Sequence, residues 1–213
     1  HTLQKLEGFE APAVAWESDI LPARVTNYDH QWLDMLSMAG KISWGRFRPS
    51  ASIKDKDRKT TSPVRNTPVA FVSRANLRLW KNIDTVPEDF ASHLSPRALE
   101  ALKVIQEHGA SFFDDIVYRA RLFPSQAENA VGELISSGLI TSDTFTGLRA
   151  LLVPDKYKSQ GGRRHDTEIF SMNYAGRWSL LHGNSNDRTE VTSSHDMETL
   201  AWALLRRYGV VFR

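Results

Sequence analysis

Between Leu94 and Val153 the apolar positions fall into three helical stripes and two short runs. Ser95 and Pro96 are a cap and a first-turn proline, with Leu94 placed to staple onto Leu99. Ala98, Ala101, Leu102 and Ile105 then recur at helical spacing until Gly109 stops the helix. Ser111 to Asp114 reads as an S-x-x-D capping box for a second helix with Phe113, Ile116, Val117 and Ala120 on one face. Pro124 opens a third, whose stripe of Ala127, Ala130, Val131, Leu134 and Ile135 ends at Gly138. Leu139 to Thr141 and Leu148 to Val153 read as two strands joined by a turn around Asp143 to Gly147. Three helices followed by a β-hairpin is the order of a winged helix, so 94–153 is predicted as one complete module.

The flanks carry pieces of the same pattern. Ala13 to Val25 reads as a helix that Pro22 bends or ends, and Asp29 caps a helix from His30 to Met38. Ile42 to Phe47 is an alternating strand. Leu36, Gly40, Ile42 and Phe47 match Leu134, Gly138, Ile140 and Phe145 at a constant shift. At the other end Ala201, Leu205, Tyr208, Gly209 and Phe212 fall on Ala101, Ile105, His108, Gly109 and Phe112. The expected fold class is therefore α+β, built of tandem winged-helix modules, one complete and two partial. Residues 1–48 end one module and 49–93 form a basic loop with a connecting strand (Thr67 to Val72) and helix (Pro87 to Ser92). Residues 154–195 are a linker with a strand at Gly176 to Leu181, and 196–213 start a further module. Apolar Val210, Val211 and Phe212 at one end, and His1 within plausible structure at the other, lead us to expect a piece of a longer polypeptide.

Composition narrows the class without naming a function. At 213 residues, 41% hydrophobic and 24% charged, the chain is an ordinary globular sequence. Its apolar runs are far shorter than a membrane span, so no membrane partner is expected. The absence of cysteine excludes disulfides and thiolate metal sites and fits a reducing cytoplasm. The 27 basic and 25 acidic residues nearly cancel, so their distribution matters more than their sum. Lys41, Arg46, Arg48, Lys54, Lys56, Arg58, Lys59, Arg65, Arg74, Arg78 and Lys81 face only Asp55 and Asp57 in their interval. Such a density attracts phosphate backbones, and Trp44 and Phe47 are interleaved as candidate base-stacking groups. The candidate nucleic-acid set is thus Lys41, Trp44, Arg46, Arg48, Lys54, Lys56, Arg58, Lys59 and Arg65, with Arg163 and Arg164 as a second, smaller cluster. A solvated loop is the competing reading of the same charges.

The third helix of the central module points the other way. It carries Glu128 and Glu133 and no Lys or Arg, leaving Gln126 and Asn129 as its only base-reading candidates. Asp114 and Asp115 on the second helix stand against Arg119 and Arg121. A structural or protein-contact role is the expectation for this copy. No catalytic constellation emerges. Ser193-Ser194-His195-Asp196 holds triad residue types as sequence neighbours and reads as a helix cap. Asp114 and Asp115 project from different sides of a helix. The histidines show no ligand spacing, and no phosphate-loop motif occurs. No catalytic residue, metal or cofactor is assigned to this stretch.

Several blocks together resemble the Lhr (large helicase-related) family of bacterial superfamily-2 helicases, in their long C-terminal region. They are Leu6 to Glu17, Ile20 to Val25, Gly40 to Phe47, Gly109 to Asp115, Gly138 to Leu151, Gly176 to Leu181 and Leu204 to Arg213. The resemblance implies a parent that couples ATP hydrolysis, with Mg, to 3′-to-5′ movement on single-stranded DNA in repair, its motor lying upstream. It also implies tandem winged helices, a β-barrel and a glycosylase-like C-terminal region. The glycosylase Gln-hydrophobic-Gln/Asp-Pro motif has its nearest string in Gln126-Ala127-Glu128, which lacks the proline, so that role is not carried over. Expected partners are single-stranded or forked DNA, neighbouring domains of the parent and a homo-oligomer, in a bacterial cytoplasm. Three roles stay open: a non-catalytic nucleic-acid-binding and scaffolding segment, an oligomerisation or interdomain module, or a support for the glycosylase-like region.

Overall fold

The computed structural model describes residues 1–48, 63–82, 94–153, 172, 175–182 and 193–209. The central module begins with α4 (Pro96–His108), β4 (Ser111–Phe112), α5 (Phe113–Arg119), α6 (Pro124–Ser136) and β5 (Ile140–Ser142). Local chemistry accounts for the helix starts. The Ser95 hydroxyl accepts from Ala98 N at 3.2 Å, and Gln126 Oε1 accepts from Phe123 N at 3.1 Å. Ser111 departs from its expected role: Phe112 is the residue before α5, and the Ser111 hydroxyl donates to Gly109 O instead.

The larger departure follows β5. Leu148 to Val153, expected as the second hairpin strand, lies almost wholly in a helix, α7 (Thr146–Leu152). A short apolar run fits either period, and here a distant side chain decides between them. Asp34 Oδ1, from the first module, accepts from both Phe145 N and Thr146 N at 2.9 Å, satisfying donors at the helix start. The missing strand is β6 (Arg177–Leu180), which pairs antiparallel with β5 from Ile140↔Leu180 to Ser142↔Trp178. β6 also pairs with β4, so the sheet order is β4-β6-β5 and the module extends well past 153.

The first module repeats this plan. It runs through α1 (Thr2–Lys5), β1 (Ala11–Pro12), a π-helical turn (Trp16–Ile20), α2 (His30–Met38), β2 (Ile42–Gly45) and β3 (Pro68–Ser73). The expected helix over Ala13 to Val25 reduces to that turn. The sheet order is β1-β3-β2, again with the last strand in the middle, and Trp44 faces Phe71 across the β2–β3 pair. Gly40 and Gly138 follow the corresponding helices at φ 65° and 73°, a backbone region glycine enters freely. A 3₁₀ turn (Pro63–Asn66) precedes β3 and another (Arg74–Asn76) leads from it into α3 (Leu77–Lys81). The helix expected over Pro87 to Ser92 lies outside the described residues. The last described element is α8 (Ser194–Tyr208), where Ser193 caps Asp196 N at 3.0 Å. No helix among the described residues is long and apolar enough to cross a membrane.

One hydrophobic core runs through both modules. Trp16, Leu33, Trp44 and Phe71 of the first join Ile105, Leu134, Phe145 and Trp178 of the second. A smaller cluster of Phe47, Ala70, Val72, Trp80 and Leu181 receives Ala203 of α8. Polar ties reinforce that contact: Arg78 grips Asp196 at 2.9 and 3.1 Å, and Arg207 donates to Glu7 O at 3.1 Å.

Candidate nucleic-acid interface

The predicted nucleic-acid residues divide sharply by position. Trp44 is completely buried in the seam between the modules. Its indole Nε1 donates to Thr144 O at 2.9 Å, and its own carbonyl accepts from Thr141 Oγ1 at 2.5 Å. Its ring meets Phe145 and Trp178 edge to face at 5.7 and 6.3 Å. Phe47 is buried as well. Neither ring has a face on which a base could stack, which corrects that part of the reading.

Arg46 and Arg65 are also committed inside the fold. The Arg46 guanidinium donates to Ser136 O at the end of α6 and, through Nε, to Arg48 O at 3.2 Å. Burial pulls its pKa below the ordinary guanidinium value. Arg65 donates to Leu152 O at the end of α7. Each cation thus satisfies an orphan carbonyl at the negative end of a helix in the other module. Lys41 and Arg48 are exposed. Lys54, Lys56, Arg58, Lys59, Arg163 and Arg164 lie outside the described residues.

Topology still gives those two basic stretches a common place. Residues 46–67 connect the antiparallel neighbours β2 and β3, and residues 143–176 connect β5 and β6. Lys54, Lys56, Arg58 and Lys59 are in the first connection, Arg163 and Arg164 in the second. Each cluster thus falls, in chain order, between two strands that pair with one another.

The seam also explains the acidic third helix. Gly132 of α6 faces Val64 so closely that an added Cβ would meet Val64 Cγ2 at 2.8 Å. Glu133 serves α4, accepting from Ser95 N and Ser95 Oγ at 2.6 Å each. Gly132 and Glu133 of α6 are thus engaged in packing and capping within the fold. A network that sequence reasoning missed spans the same seam. Arg149 of α7 holds Glu17 through Nε and Nη2 at 2.7 and 2.9 Å and Asp34 through Nη1 at 3.0 Å. Burial works against the Arg149 charge, but Glu17 and Asp34 outweigh it and the pKa is raised. Its only sequence signal is charge inside otherwise apolar helical stripes.

These features define a class: two winged helices fused through a buried seam. Comparison with known proteins specifies it further. Residues 1–70 match the winged-helix domain of the large helicase-related protein. The chain is 28% identical over 235 residues to the Lhr helicase/uracil glycosylase of Escherichia coli (strain K12), a match covering 99% of this chain and 14% of that protein. Residues 1–70 are thus similar to the winged-helix domain of the large helicase-related (Lhr) protein, and the chain as a whole is similar to a short stretch of one such relative.

Proposed function

We propose that the chain is a non-catalytic segment of an ATP-dependent DNA helicase acting in repair, one that scaffolds neighbouring domains and holds single-stranded or forked DNA through its wings. The observation that carries the reading is the shared location of the two basic clusters, each in the connection between paired strands. Wings anchored on a rigid double module present charge to a phosphate backbone while the seam keeps their bases fixed. The similarity to a helicase/uracil glycosylase supports a DNA-handling parent, whose ATP and Mg chemistry belongs to its motor. For the glycosylase half of that name, this segment's role is support, and the isolated chain is expected not to release uracil from DNA.

Replacing Lys54, Lys56, Arg58 and Lys59 together with Ala tests this. If each neutralises one phosphate, the slope of log affinity against log salt falls by about 3, at about 0.7 per contact for single strands. An unaltered slope and affinity would refute wing binding. A second reading, assembly with neighbouring domains or copies, is favoured by α8, where Met197, Trp202 and Tyr208 are each more than half exposed. Replacing Trp202 and Tyr208 with Ser should then lower the mass measured by light scattering, and an unchanged mass would count against assembly through this face.

A further inference from the structure

The turn joining α5 to α6 carries a cluster that neither the seam nor the wings absorb. Tyr118 and Phe123 are the two most exposed aromatic residues among those described, at 84% and 73%. They flank a tight reversal, closed by Leu122 N to Val117 O at 3.1 Å and Arg121 N to Tyr118 O at 3.3 Å. Arg121 sits at φ 52° within it, and Arg119 and Arg121 are both exposed. Neither guanidinium has an ion-pair partner among the described residues. A groove of about 360 Å³ opens between the start of α4 and α6, lined by Arg97, Gln126, Asn129 and Glu133 among others.

Burial drives aromatic rings into cores, so two rings left this open beside two uncommitted cations call for a planar, anionic ligand. We infer that this turn is a stacking platform for single-stranded nucleic acid. Bases lie on Tyr118 and Phe123, Arg119 and Arg121 meet the adjoining phosphates, and Gln126 Nε2 and Asn129 offer hydrogen bonds to base edges in the groove. The inference rests on the nucleic-acid reading above but uses a different surface from the wings. Its electrostatics differ too. Asp114, Asp115 and Glu128 on α5 and α6, with Glu133 in the groove, outnumber Arg97, Arg119 and Arg121. Binding here is therefore led by stacking, with a shallow salt dependence of about 1.4 in slope from the two turn arginines.

The test uses the whole chain and a labelled oligothymidylate, with a duplex of mixed sequence as the control, followed by fluorescence anisotropy across a salt series. Tyr118→Ala with Phe123→Ala is expected to weaken single-strand binding at least tenfold while leaving the salt slope and the melting temperature unchanged. Tyr118→Phe with Phe123→Tyr, which keeps both rings, is expected to bind as the parent does. Arg119→Ala with Arg121→Ala should flatten the slope by about 1.4. Unchanged single-strand affinity in the double alanine variant overturns the platform. So does an equal loss on duplex, which would mean that the rings do not stack on bases. Binding of a polypeptide partner that is lost while oligothymidylate binding persists would assign the turn to a protein instead and also overturns it. Repeating the series with the four wing cations replaced separates the proposals. If wing replacement is silent and the aromatic variant still loses affinity, the platform stands and the wing reading fails; the converse pattern removes the platform alone.

Discussion

Replacing Arg149 with Met removes the charge that joins the two modules and leaves two carboxylates behind. The Arg149 side chain is 11% exposed, and those of Glu17 and Asp34 are 17% and 16% exposed. Exposed ion pairs contribute about 0–1 kcal/mol, whereas removing one partner of a buried pair costs about 3–5 kcal/mol because the other charge stays buried and unpaired. Here two carboxylates lose their cation, while Glu17 keeps the Tyr28 hydroxyl and Asp34 keeps the Phe145 and Thr146 amides; the bidentate Glu17 contact is the geometry in which guanidinium binds carboxylate best. Partial solvent access moderates the loss, so we expect about 3 kcal/mol. For a chain of this size that corresponds to a fall in Tm of roughly 6–12 °C. Met keeps the length of the stem, so packing against Phe145, over whose ring the guanidinium sits at 5.6 Å, contributes little to the change. The assay is urea unfolding followed by tryptophan fluorescence, with calorimetry alongside. A triple variant that also carries Glu17→Gln and Asp34→Asn should recover part of the loss, since no buried charge remains. A loss below 1 kcal/mol in Arg149→Met, or a triple variant less stable than the single, would refute the account of a buried charge network holding the seam.

Three further outcomes follow from the same geometry. Gly138→Ala places a Cβ 2.7 Å from Arg46 O at φ 73°, so it should destabilise by more than about 1–2 kcal/mol, read as a lower urea midpoint; parent-like stability would contradict that close approach. Trp44→Leu removes the bond to Thr144 O and two edge-to-face contacts, so it should cost about 2–4 kcal/mol yet leave nucleic-acid affinity unchanged at temperatures where the variant is folded. Weakened binding without loss of stability would restore Trp44 as a stacking group. The Tyr28 hydroxyl donates to Glu17 Oε1 at 2.8 Å, and burial first, then the Glu17 charge, raise its pKa. Because the unfolded phenol titrates near about 10, this contribution is complete below that pH and is lost as pH rises above it. Tyr28→Phe should therefore lower stability at neutral pH and soften the alkaline decline, as measured by Tm between neutrality and alkaline pH.

The local signals written in the sequence were the ones that depend on near neighbours. Helix starts at Asp29, Ser95 and Ser193 follow from a side-chain oxygen two or three residues before the amide it accepts from, which spacing alone reveals. The repeat was legible for the same reason, since Gly40 and Gly138 end equivalent helices and strands follow each at once. The α+β winged-helix class was legible because three amphipathic stripes and short strands in that order admit few alternatives.

What the tertiary structure alone decided involves partners on the far side of the seam. Leu148 to Leu152 suits a strand or a helix equally, and the Asp34 carboxylate, more than a hundred residues away, selects the helix by taking two of its first amide donors. The third sheet strand then had to come from Arg177–Leu180, because only a central strand pairs β4 and β5 at once. Trp44, Arg46 and Arg65 carry the residue types of a nucleic-acid surface, but burial turned one into core and the other two into helix-end caps. Composition records which charges and rings a chain possesses. Whether a ring meets a base or a neighbouring tryptophan depends on which surfaces packing leaves open, and that is set by contacts between residues about a hundred positions apart.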